Sequence, residues 1–230
     1  MTGGLIVLTL ALALFWLPGA LTRQTLSVVP VTKRMEIGAA MLGHLQVQTG
    51  VPCRSPLANA AALRLAQRLF GPETAFRIVV VPNLAQGAVS LPGGLIALDY
   101  SVLQVSDDPA AVAGFVLASR AAVIHLDPLE RLLQQAGLGV TFRLLTTGEI
   151  PNDILRDNVQ TLVLGDAPVA NPDVLRASLA AASIPQGPYL AVADARTGSM
   201  PDLGNDPMAG QPAPLILTDS DWVSLQNICN

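Results

Sequence analysis

Residues 107–126 read DDPAAVAGFVLASRAAVIHL, and the architecture turns on this stretch. Asp107-Asp108-Pro109 is a helix start. A carboxylate cap accepts from the open amides of the first turn, and proline suits the first helical position, where its missing N–H had no partner. Ala110 to Leu126 is then almost entirely small or apolar, reading as one helix. A helix apolar on every face belongs in the centre of a domain. Arg120 is its one charged residue, and a buried charge needs either a partner or a route to water.

Outward from this helix, Phe76 to Val81 and Leu95 to Leu98 read as strands, the second entered through the turn Leu91-Pro92-Gly93-Gly94. Leu57 to Phe70 is an amphipathic helix with Leu57, Ala61, Leu65 and Leu69 on one stripe, stopped by Gly71-Pro72. Glu36 to Val47 carries Ile37, Met41 and Leu45 at helical spacing. Downstream, Pro128 to Gln135, Asn152 to Leu164 and Pro172 to Ala182 read as helices. A short last helix, capped by Thr218-Asp219-Ser220-Asp221, ends at Cys229. Residues 184–214, rich in Pro and Gly, read as a long, poorly ordered excursion. The sum is an α+β chain, mostly helical, with a small sheet packed on a central apolar helix. The domain spans residues 36–230 after a linker over 23–35.

Composition sets the limits. The chain has 230 residues, one domain with an appendage or two small domains. Hydrophobic residues make up 51% and charged residues 13%, which excludes a disordered chain. The net charge of -4, with no basic stripe, argues against a nucleic-acid partner. Histidine is limited to His44 and His125, and cysteine to Cys53 and Cys229. A structural zinc site uses about four N/S ligands and a catalytic one about three protein ligands. Either would take nearly this whole stock or lean on carboxylates.

Leu5 to Leu21 carries no charge and is short against the ~20 residues that cross a bilayer. Residues 1–22 read as a membrane anchor, with Trp16 placed as an interfacial aromatic, or as a signal peptide cleaved after Ala20. A buried globular helix is a third reading. Arg23, Lys33 and Arg34 follow the run, and positive-inside counting leaves the body in the cytoplasm. Cysteine usage points the other way: Cys53 and Cys229 bracket the soluble part, as a disulfide stapling the C-terminal tail would. Two unpaired thiols are the alternative. The weight falls on a membrane-anchored, extracytoplasmic body, with cytoplasm-facing and secreted bodies as alternatives.

The order of elements resembles the HtpX-like and CAAX-prenyl-protease-like membrane zinc metallopeptidases. The resemblance is carried by Ala88-Val89-Ser90-Leu91-Pro92-Gly93-Gly94, by the capped apolar helix from Asp107, and by Asp127-Pro128-Leu129-Glu130 after it. It covers roughly residues 30 to 185 and implies a zincin scaffold, a zinc cofactor, an N-terminal anchor and envelope proteolysis in protein quality control. It also implies that Leu91, Pro92, Gly93 and Gly94 shape a groove where peptide strands pair. The zinc motif H-E-x-x-H is replaced by Ser119-Arg120-Ala121-Ala122-Val123, and helix spacing places the third ligand, a glutamate in the family, at Arg156. Two imidazoles at i and i+4 must face one metal, with a glutamate to deprotonate its water. Ser119, Arg120, Val123 and Arg156 supply none of this. His125 lies two residues beyond Val123, about 200° further round the helix, and so faces away.

The expectation is therefore a chain without a catalytic residue, metal ligand or cofactor: a pseudopeptidase that binds a peptide or protein, or regulates one. The alternative is an active zinc endopeptidase with unorthodox ligands, and a third reading is a decaying gene product. Within the first, Arg120 and Arg156 are candidate anion-binding residues that replace the metal's charge. They would pair with Asp153, Asp157 or Glu149, or take the anionic end of a peptide. The plainer reading of Arg120 is a side chain that snorkels to solvent.

Overall fold

A computed structural model describes residues 28–230. The anchor or signal expected over residues 1–22, and the first part of the linker, lie outside the described residues. Among the described residues no helix is long and apolar enough to cross a membrane.

In chain order the elements are α1 (Val31–Thr49), α2 (Pro56–Phe70), β1 (Arg77–Val81), β2 (Ala88–Leu91), a tight turn at Pro92–Gly94, and β3 (Leu95–Asp99). There follow α3 (Tyr100–Val105), α4 (Pro109–Ala121), α5 (Pro128–Ala136), α6 (Leu138–Thr147) and α7 (Asn152–Thr161). The chain closes with α8 (Pro172–Ala181), α9 (Gln186–Thr197) and α10 (Asp219–Gln226). The fold is α+β and mostly helical around a three-stranded mixed sheet. Strand β3 is central, parallel to β1 and antiparallel to β2.

Helices cover both faces of the sheet, which explains strands that are apolar without alternation. Ile78, Val80, Ala88, Ile96 and Leu98 face one core, shared with α2, α4, α8, α9 and α10. Val81, Val89, Leu91 and Ala97 face a second, filled by α1, α5, α6 and α7. Helix α4 is buried from Ala110 through Leu117, as its composition requires. Gly114 allows its close crossing with α9: a Cβ there would stand 2.4 Å from the Cβ of Tyr189.

Several boundaries differ from the sequence reading. Helix α4 stops at Ala121, and a new helix, capped by Asp127, begins at Pro128. His125 thus falls in an exposed turn. Helix α1 starts at Val31, inside the expected linker, directly after Pro30. In α2 the expected Ala61 and Leu65 are buried, but Leu57 is exposed and the buried face widens to Ala58, Ala62 and Ala66. Strand β2 and helix α6 are additional elements. The expected excursion over 184–214 is corrected by α9, whose Tyr189, Val192 and Ala193 are buried at helical spacing. Pro188 does not interrupt α9, since amides of a helix's first turn lack intrahelical partners.

One buried ion pair locks α9 in place. Asp99, at the end of β3, meets Arg196 of α9 at 2.8 Å, and both side chains are largely shielded from water. Asp99 also accepts the Leu84 amide at 3.1 Å and the Ser101 hydroxyl, while Ser101 accepts from Arg196. Arg196 further donates to the Leu84 and Ala85 carbonyls. The strut joins the end of the sheet, the loop before β2 and the helix behind α4.

The C-terminal tail is held by a Cys53–Cys229 disulfide across 176 residues of sequence. Arg64 of α2 grips Asp221 of α10 through both carboxylate oxygens, one at 2.8 Å, and Trp222 is buried. The Arg64 hydrogen bond holds the Asp221 carboxyl below its usual range. The clamp is therefore present above the ordinary carboxylate pKa and is lost only as pH falls through that lowered value. Replacing both cysteines by serine is expected to lower the unfolding free energy by about 2–5 kcal/mol, since the disulfide closes a very long loop. Urea titration checks this. An unchanged midpoint would mean that Trp222 and the clamp hold the tail unaided.

Candidate functional site

The site forms at the end of the sheet where β2 turns into β3. Gly93 has φ of 75°, and a Cβ there would stand 2.6 Å from the Met35 backbone of α1. From the other side, a Cβ on Gly38 would lie 2.1 Å from the Pro92 carbonyl oxygen. Leu91-Pro92-Gly93-Gly94 is thus a close joint with α1, with Leu91 and Pro92 buried. No residue of β2 exceeds 9% exposure, so the strand presents no broad open surface.

What remains accessible is a cleft of about 300 Å³. Ser90, Leu91, Gly93 and Gly94 line it, so three of the four groove candidates contribute, while Pro92 packs on Gly38 instead. Phe76, Ile96, Val123 and Ile124 add apolar walls, and Arg34, Arg120 and Asp127 supply charge. The structure therefore brings two replaced motif positions, Arg120 and Val123, into one cavity with the strand-turn residues.

Arg120 is half-buried and lays its guanidinium over the Phe76 ring, 5.4 Å from the centroid. Among the described residues it forms no ion pair. Of the three carboxylates suggested by sequence, Asp157 does pair with Arg156, and none pairs with Arg120. Glu149 reaches Arg143 at 3.6 Å, Asp157 reaches Arg156 at 3.2 Å, and Asp153 is exposed on α7. Arg156 is itself exposed and does not line the cleft, so the paired guanidinium groups expected at 120 and 156 do not meet. The second guanidinium is Arg34 of α1, whose Nη1 lies 3.4 Å from Asp127 Oδ2. Asp127 Oδ1 accepts the Leu129 amide at 2.8 Å, capping α5. Sequence reasoning missed Arg34 as a site residue because only the α1–turn joint brings it there.

Ser119 is buried and already satisfied. Its hydroxyl donates to the Val116 carbonyl at 2.9 Å and lies 3.2 Å from the Ser90 hydroxyl, tying α4 to β2. Val123 is buried with no donor to offer. Among the described residues no three His, Cys, Asp or Glu side chains gather where they could hold a metal. Both cysteines are in the disulfide, and His125 is exposed in its turn. The donor set at the motif positions, a bonded hydroxyl, a guanidinium and an isopropyl group, does not fit zinc.

On the other side of Ser119 lies a larger, mostly apolar cavity of about 480 Å³, walled by Ala88, Phe115, Ala118 and Tyr189. Phe115 and Tyr189 meet edge to face at 5.0 Å, and burial pushes the Tyr189 hydroxyl up from its usual pKa. The Gln86 side chain at its rim donates to the Leu162 and Val163 carbonyls.

No protein-family model matches the chain, and no curated protein matches it.

Substitution at Arg120 and at Asp99, the partner of Arg196, is expected to differ sharply in cost. Arg120→Met removes a cation–π contact and no ion pair, a change of less than about 1 kcal/mol. Asp99→Ala leaves Arg196 buried and uncompensated, a loss of about 3–5 kcal/mol. Urea denaturation of both variants decides it, and a loss at Arg120 as large as at Asp99 would make Arg120 a structural residue.

Proposed function

We infer that this chain is a pseudopeptidase: a binding or regulatory module, on a degenerate HtpX-like zincin scaffold, that engages a peptide or protein without zinc chemistry. One observation carries the reading. Two of the replaced motif positions, Arg120 at the end of α4 and Val123 just after it, line the same cleft as the strand-turn residues, yet the groups at the motif positions are not metal donors. A peptidase helix that had lost its chemistry but kept its place beneath the sheet has this arrangement. Arg120 then occupies a substrate-side position where, among the described residues, it meets the Phe76 ring but no carboxylate.

The body is extracytoplasmic and anchored to the membrane through residues 1–22. The Cys53–Cys229 bond supports that compartment, because a disulfide persists where thiols are not kept reduced. No catalytic step follows from the residues present. Ser119 has both its hydrogen bonds made, with no general base beside it.

The full chain, incubated for hours with an unfolded protein substrate and with added zinc, is expected to leave that substrate intact while retaining peptides from a fluorescent degenerate library. Substrate cleavage that a chelator abolishes would overturn the reading, as would a complete failure to retain any peptide.

A further inference from the structure

The cleft holds an arginine whose ring face is used and whose hydrogen-bonding edge is not. The Arg120 guanidinium carbon lies over the Phe76 ring, 5.4 Å from its centroid, and among the described residues none of its N–H groups meets a carboxylate. A guanidinium is a rigid planar fork that matches a carboxylate with two parallel hydrogen bonds. Holding that fork against an aromatic ring reduces the freedom lost when an anion binds.

The charge in the cleft sets the kind of anion. Among the described lining residues, Arg34 and Arg120 stand beside one carboxylate, Asp127, which leaves one positive charge in excess. Asp127 is committed on both oxygens, to Arg34 and to the Leu129 amide. One excess charge suits a monoanion better than a dianion. The remaining walls, Phe76, Leu91, Ile96 and Val123, are apolar. A volume of about 300 Å³ has room for a carboxylate and the side chain beside it, and lies at the lower limit for ligand pockets. The buried strand β2 offers little for a long extended peptide, so the end of a chain fits better than its middle.

We propose that this cleft is a carboxylate-binding subsite, in which the free edge of Arg120 takes the C-terminal carboxylate of a peptide whose last, apolar side chain lies against Phe76 and Leu91. The subsite rests on the binding-module reading and gives that reading its ligand class. Arg34 adds longer-range attraction. On the pseudopeptidase reading the positive charge is kept and its use changed: a fixed cation binds a terminus where a peptidase would hold a metal for cleavage.

The test uses the full chain in a neutral detergent, labelled with nitrogen-15 at arginine. The probes are N-acetyl-Ala-Ala-Leu as free acid, the same peptide as C-terminal amide, acetate and inorganic phosphate. The free acid is expected to shift the Arg120 Nε–Hε resonance and to bind at least tenfold tighter than the amide. Arg120→Met is expected to erase that preference while keeping the dispersed spectrum of a folded chain. Arg120→Lys should keep only part of it. Equal binding of acid and amide would overturn the carboxylate subsite and leave the binding-module reading standing. Binding of phosphate but not of the peptide acid would overturn the peptide as source. Cleavage of either peptide would overturn the underlying reading instead.

Discussion

Asp99 is the carboxylate on which this structure depends. It sits at the end of the central strand, almost wholly out of water, where a charge is stable only if paired and fully hydrogen-bonded. Arg196, the Leu84 amide and Ser101 together meet that demand. Because Arg196 belongs to α9, the pair fixes α9 against the sheet end. Through the close crossing at Gly114, α9 then fixes α4. The Ser119–Ser90 contact and the placing of Arg120 at the opposite, open end of the sheet are consequences of that position.

The two arginines beside α4 make the distinction between scaffold and site concrete. Both lay a guanidinium over a phenylalanine, Arg196 over Phe115 at 6.0 Å and Arg120 over Phe76 at 5.4 Å. Arg196 is saturated by a carboxylate, a hydroxyl and two carbonyls. Arg120 has the ring and an opening to solvent, with no ion pair among the described residues. A saturated buried cation is explained by folding. A half-buried cation with an idle edge has more to offer a ligand than the fold uses.

The sequence made the centre of this fold legible and left its joints obscure. The apolar run from Ala110 gave α4 directly, because a helix with no polar face has only one place to go. The flanking strands β1 and β3, the C-terminal cap and the Arg120 anomaly were equally readable. The α9 helix was not, since Tyr189, Val192 and Ala193 form its buried face amid proline, glycine and aspartate that read as loop. Asp99 carried no signal either: a carboxylate at a strand end looks like a turn residue until its partner, ninety-seven positions away in the number line from 99 to 196, is in place. Arg156 shows the limit of spacing arguments. A helix count put it opposite Arg120, whereas α7 packs its Leu155 and Val159 into the second core and leaves Arg156 in water.

On the proposed reading, Arg120 lies at the site of a lost zinc motif and the chain binds no zinc. Native mass spectrometry of the oxidised full chain, with a small excess of zinc, tests it most directly. Only the mass of the metal-free chain, with its disulfide intact, is expected. One zinc ion retained per chain through desalting, and lost on chelation, would contradict it.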